Sequence, residues 1–446
     1  MKKDSKINPR EVALKILFEI ETRRFFADER INRYSEQFNL SSLDRRFLSE
    51  LVNGTTKLKK RIDYAVDFIL GKSVEELTPW IRNILRMGIY QIDHLSRVPH
   101  PAAVNESVKL AQRYGHRGTK SLVNAVLRNY LRKKDQIRFP QEDKIKFFET
   151  FYSFPGWMIR RWFRDFGEEG TKKLCEIFNS RPKVCLRVNS LKIDSKNLID
   201  EFKVKKIKYK KGLFLHDFCY IDSKLNLSEF DPLRNGWAYV QDESSAFPVL
   251  LLDPKPDQTI IDLCAAPGGK TTFIGQIMKN SGQIAALDVS EGKRKLIQKN
   301  CQRLGVTNVI TAVGDARDFS LRPADRVLVD APCTGLGTLR KNSDLRWQKK
   351  ENDVKRMKSL QLSILVNAAN LVKEGGALVY ATCTMTQEEN DQVVEELLSQ
   401  RDDFRLVRAS QYVTREVVDK KGMVRTFPHQ HGVDGSFAVR LERMEK

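Results

Sequence analysis

Apolar positions in the first 140 residues recur every three or four places, and beta-branched alternation is scarce. This stretch therefore reads as helical throughout. Asn8-Pro9-Arg10-Glu11 supplies an N-cap, a proline at the first helical position and a glutamate at the third. Val12, Leu14, Ile16, Leu17 and Ile20 follow at helical spacing. Thr78-Pro79 predicts a second start, with Ile81, Ile84, Leu85 and Ile89 behind it. His100-Pro101 predicts a third, and Leu122, Val123, Val126, Leu127 and Leu131 line a fourth helix. The apolar stripes are the core of a bundle, and Arg45, Arg46, Arg113, Arg117, Arg128 and Arg132 fall on its polar faces.

Residues 141–240 are mixed. Phe151 to Phe166 combines aromatics with basic residues, including Trp157, Arg160, Arg161, Trp162 and Arg164. That composition suits helix core with a solvated face better than a platform for stacking bases. Val184 to Asn189 reads as a strand. Lys203 to Lys211 reads as a basic strand or hairpin, suited either to phosphate contact or to protecting a sheet edge.

From residue 241 onward, strands alternate with helices. Strands are predicted at 258–263, 284–288, 308–312, 326–330, 376–381 and 436–441. Helices are predicted near 271–280, 290–304, 349–373 and 387–400. This alternation implies a mostly parallel, doubly wound sheet.

Charge adds a direction to this layout. The 446-residue chain carries 78 Lys+Arg against 57 Asp+Glu, a net charge of +21. Residues 1–140 contribute +12, residues 141–240 +6 and residues 241–446 only +3. A basic front and a near-neutral back place polyanion binding and chemistry on different domains. The sequence has no apolar run of the roughly 18 residues a membrane helix needs. Met1-Lys2-Lys3-Asp4 is not followed by the apolar segment of a signal peptide, so a cytoplasmic protein is expected. Its seven cysteines (175, 185, 219, 264, 301, 333 and 383) show no CxxC pair, which argues against a zinc site or a disulfide framework. His429 and His431 lack a third ligand nearby in sequence, and no metal is expected.

The chemistry concentrates at predicted strand ends. Asp262-Leu263-Cys264-Ala265-Ala266-Pro267-Gly268-Gly269-Lys270-Thr271 leaves a strand and opens a helix. A Walker A loop would need glycine where Cys264 stands, so a nucleotide triphosphatase is not expected. Asp288 ends the second strand, as an acceptor for ribose hydroxyls. Asp315 follows the third, as a partner for an adenine amino group. An adenosine ligand without a phosphate cradle points to S-adenosylmethionine.

Asp330-Ala331-Pro332-Cys333 ends the fourth strand and Tyr380-Ala381-Thr382-Cys383 the fifth, which puts both thiols in the same crevice. A thiol beside a methyl donor suits methylation of cytosine at C5. Addition of a thiolate to C6 makes C5 nucleophilic. Asp330 is placed to hold the pyrimidine edge, and Lys270 is a candidate to favour the thiolate. The target base must be unstacked to reach it.

These motifs resemble the Sun (RsmB) family of 16S rRNA cytosine-C5 methyltransferases along essentially the whole chain. Pro9 to Leu14 and Val123 to Arg128 are similar to a NusB-type RNA-binding domain. Leu186-Arg187-Val188-Asn189 is similar to the family's small α/β domain. Val240 to Ser245 resembles the entry to its catalytic core. The closing run Phe427 to Phe437 fits too, although Ser436 stands where the family more often has an aromatic.

The resemblance implies an all-α NusB-like bundle at 1–140, a small α/β, RRM-like domain at 141–240 and a Rossmann-like class I methyltransferase domain at 241–446. It implies that Cys264, Ala265, Ala266, Pro267, Gly268, Gly269, Lys270, Asp288, Asp315 and Asp330 bind S-adenosylmethionine. Catalysis would fall to Cys383 as nucleophile and Cys333 in adduct release, with Asp330 and Lys270 assisting. In DNA cytosine-C5 methyltransferases the Pro-Cys cysteine, corresponding to Cys333, is the nucleophile. Sequence geometry leaves the two open, and the resemblance assigns Cys383. The implied target is cytosine 967 of 16S rRNA, free or in an assembling small-subunit particle, modified by a monomer. A tRNA or 23S rRNA target is the nearest rival. A non-catalytic RNA-binding or antitermination factor is the other, and the intact Cys333/Cys383 pair speaks against it.

Overall fold

A computed structural model describes residues 8–223 and 225–445. The Met1-Lys2-Lys3-Asp4 stretch lies outside the described residues. The chain forms two compact units, one comprising residues 8–180 with Leu339–Lys349, the other residues 181–338 with 350–445.

The first unit is helical. Helices run over Pro9–Arg23, Ala27–Gln37, Ser42–Lys57, Lys59–Leu70, Pro79–His94, His100–Tyr114 and Arg117–Lys133. The predicted starts are real ones. Asn8 caps the first helix by accepting from the Arg10 N–H at 3.0 Å, and prolines 79 and 101 occupy first-turn positions. Val12, Leu14, Ile16, Ile84, Leu85, Val123 and Leu127 meet in one apolar core. Arg86 differs from Arg46, Arg113, Arg117, Arg128 and Arg132, which are exposed. It is buried, donates to both oxygens of Asp63 at 2.6 and 2.9 Å and pairs with Glu21 at 2.9 Å.

The long helix Gly156–Asn179 belongs to the same unit, and its Trp162 sits in an aromatic core with Phe154 and Phe178. Leu339–Lys349 returns to this unit from late in the chain. Arg346 is fully buried there. It donates to the carbonyls of Lys57 and Ser153 at 3.2 Å and to Asn179 at 2.9 Å, with its guanidinium 3.9 Å from the Phe154 ring centre.

The second unit contains two sheets. The smaller comprises β1 (Val184–Val188), β2 (Tyr209–Lys211), β3 (Phe218–Ile221) and β4 (Ala238–Val240), antiparallel in the order β2-β3-β1-β4. The basic run expected to be one strand or hairpin is divided. Lys203 ends the helix Ser195–Val204, a turn follows, and only Tyr209–Lys211 joins the sheet, at its edge. Lys203 and Lys205 are tied to Asp200 and Asp231, whereas Lys206, Lys208, Lys210 and Lys211 face solvent.

The larger sheet comprises β5 (Thr259–Leu263), β6 (Gln283–Asp288), β7 (Val309–Val313), β8 (Ala324–Asp330), β9 (Val372–Thr382), β10 (Phe404–Val407), β11 (Val424–Thr426) and β12 (Ser436–Arg443). Its order is β10-β12-β9-β8-β5-β6-β7, with β11 paired to β12. The five strands from β7 to β9 are parallel, and β12 joins β9 antiparallel. Helices Gly269–Ile277, Glu291–Leu304, Glu351–Asn370 and Asp391–Gln400 accompany the strands. The sequence pattern missed β10 and β11, which are three or four residues long and pair with β12, β11 also bridging Val418 through Val424. Strand order reverses between β5 and β8, so the crevice opens beyond the carboxyl ends of these two strands.

Candidate methyl-transfer site

The loop after β5 makes a sharp turn. Gly268 has φ +97°, and a Cβ there would lie 3.2 Å from the backbone of Ile297; at Gly269 it would lie 3.0 Å from the Tyr239 ring. The positive φ at Gly268 favours glycine, and both contacts are tighter than most side chains tolerate. Beneath the loop, Arg187 of β1 is fully buried. It donates to the Gly269 carbonyl at 2.7 Å, to the Thr272 hydroxyl at 3.1 Å and to Gln241. Among the described residues no carboxylate pairs with it, and burial pushes its pKa down to about 9. The small sheet thus grips the first turn of the loop's helix, a link that adjacency in sequence does not reveal.

Asp288, at the end of β6, is buried and fixed. Its carboxylate accepts from the Ala266 N–H at 2.9 Å and the Val289 N–H at 2.7 Å, and pairs with Lys293 at 3.0 Å. Asp315 is held differently. Arg317 grips it with contacts of 2.6 to 3.0 Å and draws its pKa down to about 2. Cys264 lies within the loop, and burial raises its thiol to about 12, which suits packing rather than reactivity. Asp262, the first residue of the motif, is wholly buried. It accepts from the Thr271 hydroxyl at 2.6 Å, while its other oxygen has no partner. Burial pushes its carboxyl up to about 7.

The candidate catalytic groups converge beyond β8 and β9. Lys270 Nζ donates to Asp330 at 2.6 Å. Burial alone would lower the lysine, but the Asp330 carboxylate, aided by Cys383 and Asp262, outweighs it and keeps the ammonium charged. Asp330 pairs with Ala381 in the sheet register, so the segments after β8 and β9 leave the sheet side by side. Cys333 and Cys383 consequently lie with their sulfurs 3.0 Å apart, Cys383 exposed and Cys333 half-buried. Their contact raises the Cys333 thiol well above the ordinary range, reinforced by burial and by the charges of Cys383 and Glu389.

Cys175, Cys185, Cys219 and Cys301 are buried, in keeping with structural roles. His429 and His431 sit in a short turn where His431 Nδ1 accepts from the Phe427 N–H at 2.9 Å. Among the described residues no His, Cys, Asp and Glu cluster could hold a metal ion, and no helix is long and apolar enough to cross a membrane.

Known proteins share both the parts and the whole. Residues 249–442 match the family described as 16S rRNA methyltransferase RsmB/F, residues 7–132 the NusB family, and residues 154–228 the ferredoxin-like domain of RsmF/B-like methyltransferases. A Bacillus subtilis (strain 168) protein described as a probable ribosomal RNA small subunit methyltransferase B is 36% identical across 98% of this chain and 99% of its own length. The ribosomal RNA small subunit methyltransferase B of Pectobacterium carotovorum is 29% identical, covering 91% of this chain and 92% of its own. Among solved structures, that of PH0851 superposes with a TM-score of 0.84 at 28% identity, over 98% of this chain and 99% of that one. A methyltransferase homologue from Pyrococcus horikoshii reaches a TM-score of 0.58 at 28% identity, over 66% of this chain and 97% of its own. With NusB, ferredoxin-like and catalytic parts in the same order and near-complete coverage of its relatives, the chain belongs to the RsmB/F family of 16S rRNA methyltransferases.

Proposed function

We propose that this protein methylates C5 of a cytosine in 16S rRNA, with cytosine 967 as the target, using S-adenosylmethionine and a covalent bond between Cys383 and C6. The observation that carries the reading is the 3.0 Å approach of two thiols beside the Lys270–Asp330 pair. A methyltransferase acting on an amine needs neither thiol.

The loop residues fit the cofactor. Gly268 and Gly269 let the loop turn tightly against Ile297 and Tyr239, Asp288 presents a fixed acceptor for ribose hydroxyls, and Asp315 lies after the adjacent strand for the adenine side. Cys264, Ala265, Ala266, Pro267 and Lys270 complete the set with Asp330. When bound, S-adenosylmethionine supplies an electrophilic methyl group. Asp330 holds the pyrimidine edge, oriented by Lys270. The Cys383 thiolate would add to C6 and enrich C5 in electrons, so that C5 would take up the methyl group as its bond to the donor's sulfonium sulfur breaks and leaves a neutral thioether. Loss of the C5 proton to a base and cleavage of the C6–S bond then restore the ring and return the thiolate, with Cys333 assisting release.

Residues 1–140 and 141–240 serve RNA binding, and residues 241–446 the chemistry. The exposed Lys206, Lys208, Lys210 and Lys211 at the edge of the small sheet support this division. The protein acts as a cytoplasmic monomer, without a metal, on 16S rRNA or an assembling small-subunit particle. Bisulfite sequencing of rRNA from a strain lacking the gene tests the reading. One cytosine of 16S rRNA should lose its mark and regain it on complementation. An unchanged 16S profile refutes the assignment, and loss at another cytosine refutes position 967.

A further inference from the structure

Behind the two cysteines lies a buried polar cluster that the chemistry above does not use. Glu389 is fully buried. Its Oε1 accepts from the Thr334 backbone N–H at 2.8 Å and from Gln361 Nε2 at 3.1 Å. Its Oε2 accepts from the hydroxyls of Thr334 at 2.6 Å and Thr386 at 2.8 Å. These four donors satisfy the carboxylate by hydrogen bonding alone. Thr334 directly follows Cys333, and Gln361 also donates to the carbonyl of Pro332, just before it, at 2.9 Å. Cys333 is therefore clasped on both sides by one network.

The neighbouring Asn390 does the same for Cys383. It accepts from the Thr382 hydroxyl at 2.6 Å and donates to the Thr384 carbonyl at 3.2 Å. The two halves join where the Thr334 and Thr384 hydroxyls meet at 3.0 Å.

We propose that Glu389 is a positioning residue for methyl transfer, and that it makes the two adjacent cysteines chemically unequal. The inference rests on the cysteine chemistry proposed above. Its carboxylate is bonded to the backbone next to Cys333, whereas Cys383 is flanked by the neutral amide of Asn390. A fixed negative charge beneath one thiol opposes its ionisation. The other titratable groups around Cys333 are Cys383 across the sulfur contact, Tyr380 behind it, and Asp330 with Lys270 towards the crevice. Lys270 senses Cys383, whereas Glu389 acts on Cys333. The arrangement keeps Cys333 as the thiol.

Two substitutions separate clamp from charge. Glu389→Gln can preserve all four bonds. Its oxygen still accepts from the two N–H donors, and its amide donates to threonine hydroxyls that can rotate to accept. Only the charge is lost. Glu389→Ala removes the clamp as well. In the full-length enzyme, iodoacetamide labelling of each cysteine is followed by peptide mass spectrometry from about pH 6 to about pH 10, spanning the ordinary thiol range. Cys333 of the unaltered enzyme should label with a midpoint above that of a free thiol. Glu389→Gln should bring that midpoint down and raise Cys333 labelling at neutral pH by about threefold or more. Glu389→Ala should lower kcat by about a hundredfold while KM for RNA stays within about threefold, since positioning rather than RNA binding is lost.

An unmoved Cys333 profile in Glu389→Gln overturns the inference, as does an unchanged kcat in Glu389→Ala. Should neither variant fold, the unaltered enzyme still decides, because labelling of Cys333 at or below the pH of a free thiol refutes it. If the Gln variant shifts Cys333 as expected but the unaltered enzyme forms no 5-methylcytosine, the device stands and the reaction assignment fails.

Discussion

Replacing Asp262 by Asn removes a buried charge while preserving the side chain's size and its acceptor for the Thr271 hydroxyl. Burial raises this carboxyl from 3.8 to about 7, with the charges of Asp330 and Asp288 adding to the effect and Thr271 and Lys270 opposing it. Between those two values the folded protein holds a proton that the unfolded chain has released. The group's contribution to stability is therefore fully present below about pH 4 and is lost as pH rises through about 7. At about 1.4 kcal/mol per tenfold change in proton affinity, the loss is at most about 4 kcal/mol. Polar relaxation around the buried charge reduces it, so about 2–4 kcal/mol is expected.

The Asn variant never carries this charge. Its stability relative to the parent should rise between about pH 4 and pH 8 by that amount. Urea unfolding of both proteins without cofactor, followed by circular dichroism at several pH values, reads the difference directly. A stability difference that does not change with pH, or a variant that loses ground as pH rises, would refute the reasoning.

Three further outcomes are expected. Cys383→Ala should abolish methyl transfer, whereas Cys333→Ala should accumulate a protein–RNA adduct that survives denaturing electrophoresis; the opposite pattern exchanges the two roles. Asp288→Ala frees the Ala266 and Val289 N–H groups and removes the proposed ribose acceptor. It should weaken cofactor binding about ten- to a hundredfold by calorimetry while leaving RNA affinity unchanged, and equal cofactor affinity would count against the site. Changing Lys206, Lys208 and Lys210 to Glu should weaken RNA binding. It should also flatten the dependence of log K on log salt by roughly 0.7 for each lost single-strand phosphate contact; an unaltered slope would show that this sheet edge does not touch RNA.

Much of the fold was legible because its elements are local. Helix starts at Pro9, Pro79 and Pro101 and the strands from β5 to β9 follow from caps and periodicity, which short-range sterics and burial enforce. The site was legible as far as strand ends could be ordered, since a parallel sheet aligns its carboxyl ends and so gathers Asp288, Asp330, Cys333 and Cys383. Glu389 was not legible. A glutamate near a helix start reads as a solvated charge, and only three-dimensional packing shows it fully buried with four donors. Arg187 and Arg346 escaped for the same reason, because buried guanidiniums that donate to backbone carbonyls and neutral side chains have no distinctive spacing in a chain.

The sequence by itself determined the kinds of element, the basic front and neutral back, and which candidate side chains stand at strand ends, all through properties of neighbouring residues. Tertiary structure alone decided that the two sulfurs touch, that Asp262 is cut off from water and that Leu339–Lys349 returns to the helical unit. Those facts depend on distances between segments far apart in the chain. Such distances are set by the joint packing of many side chains, and no local pattern encodes them.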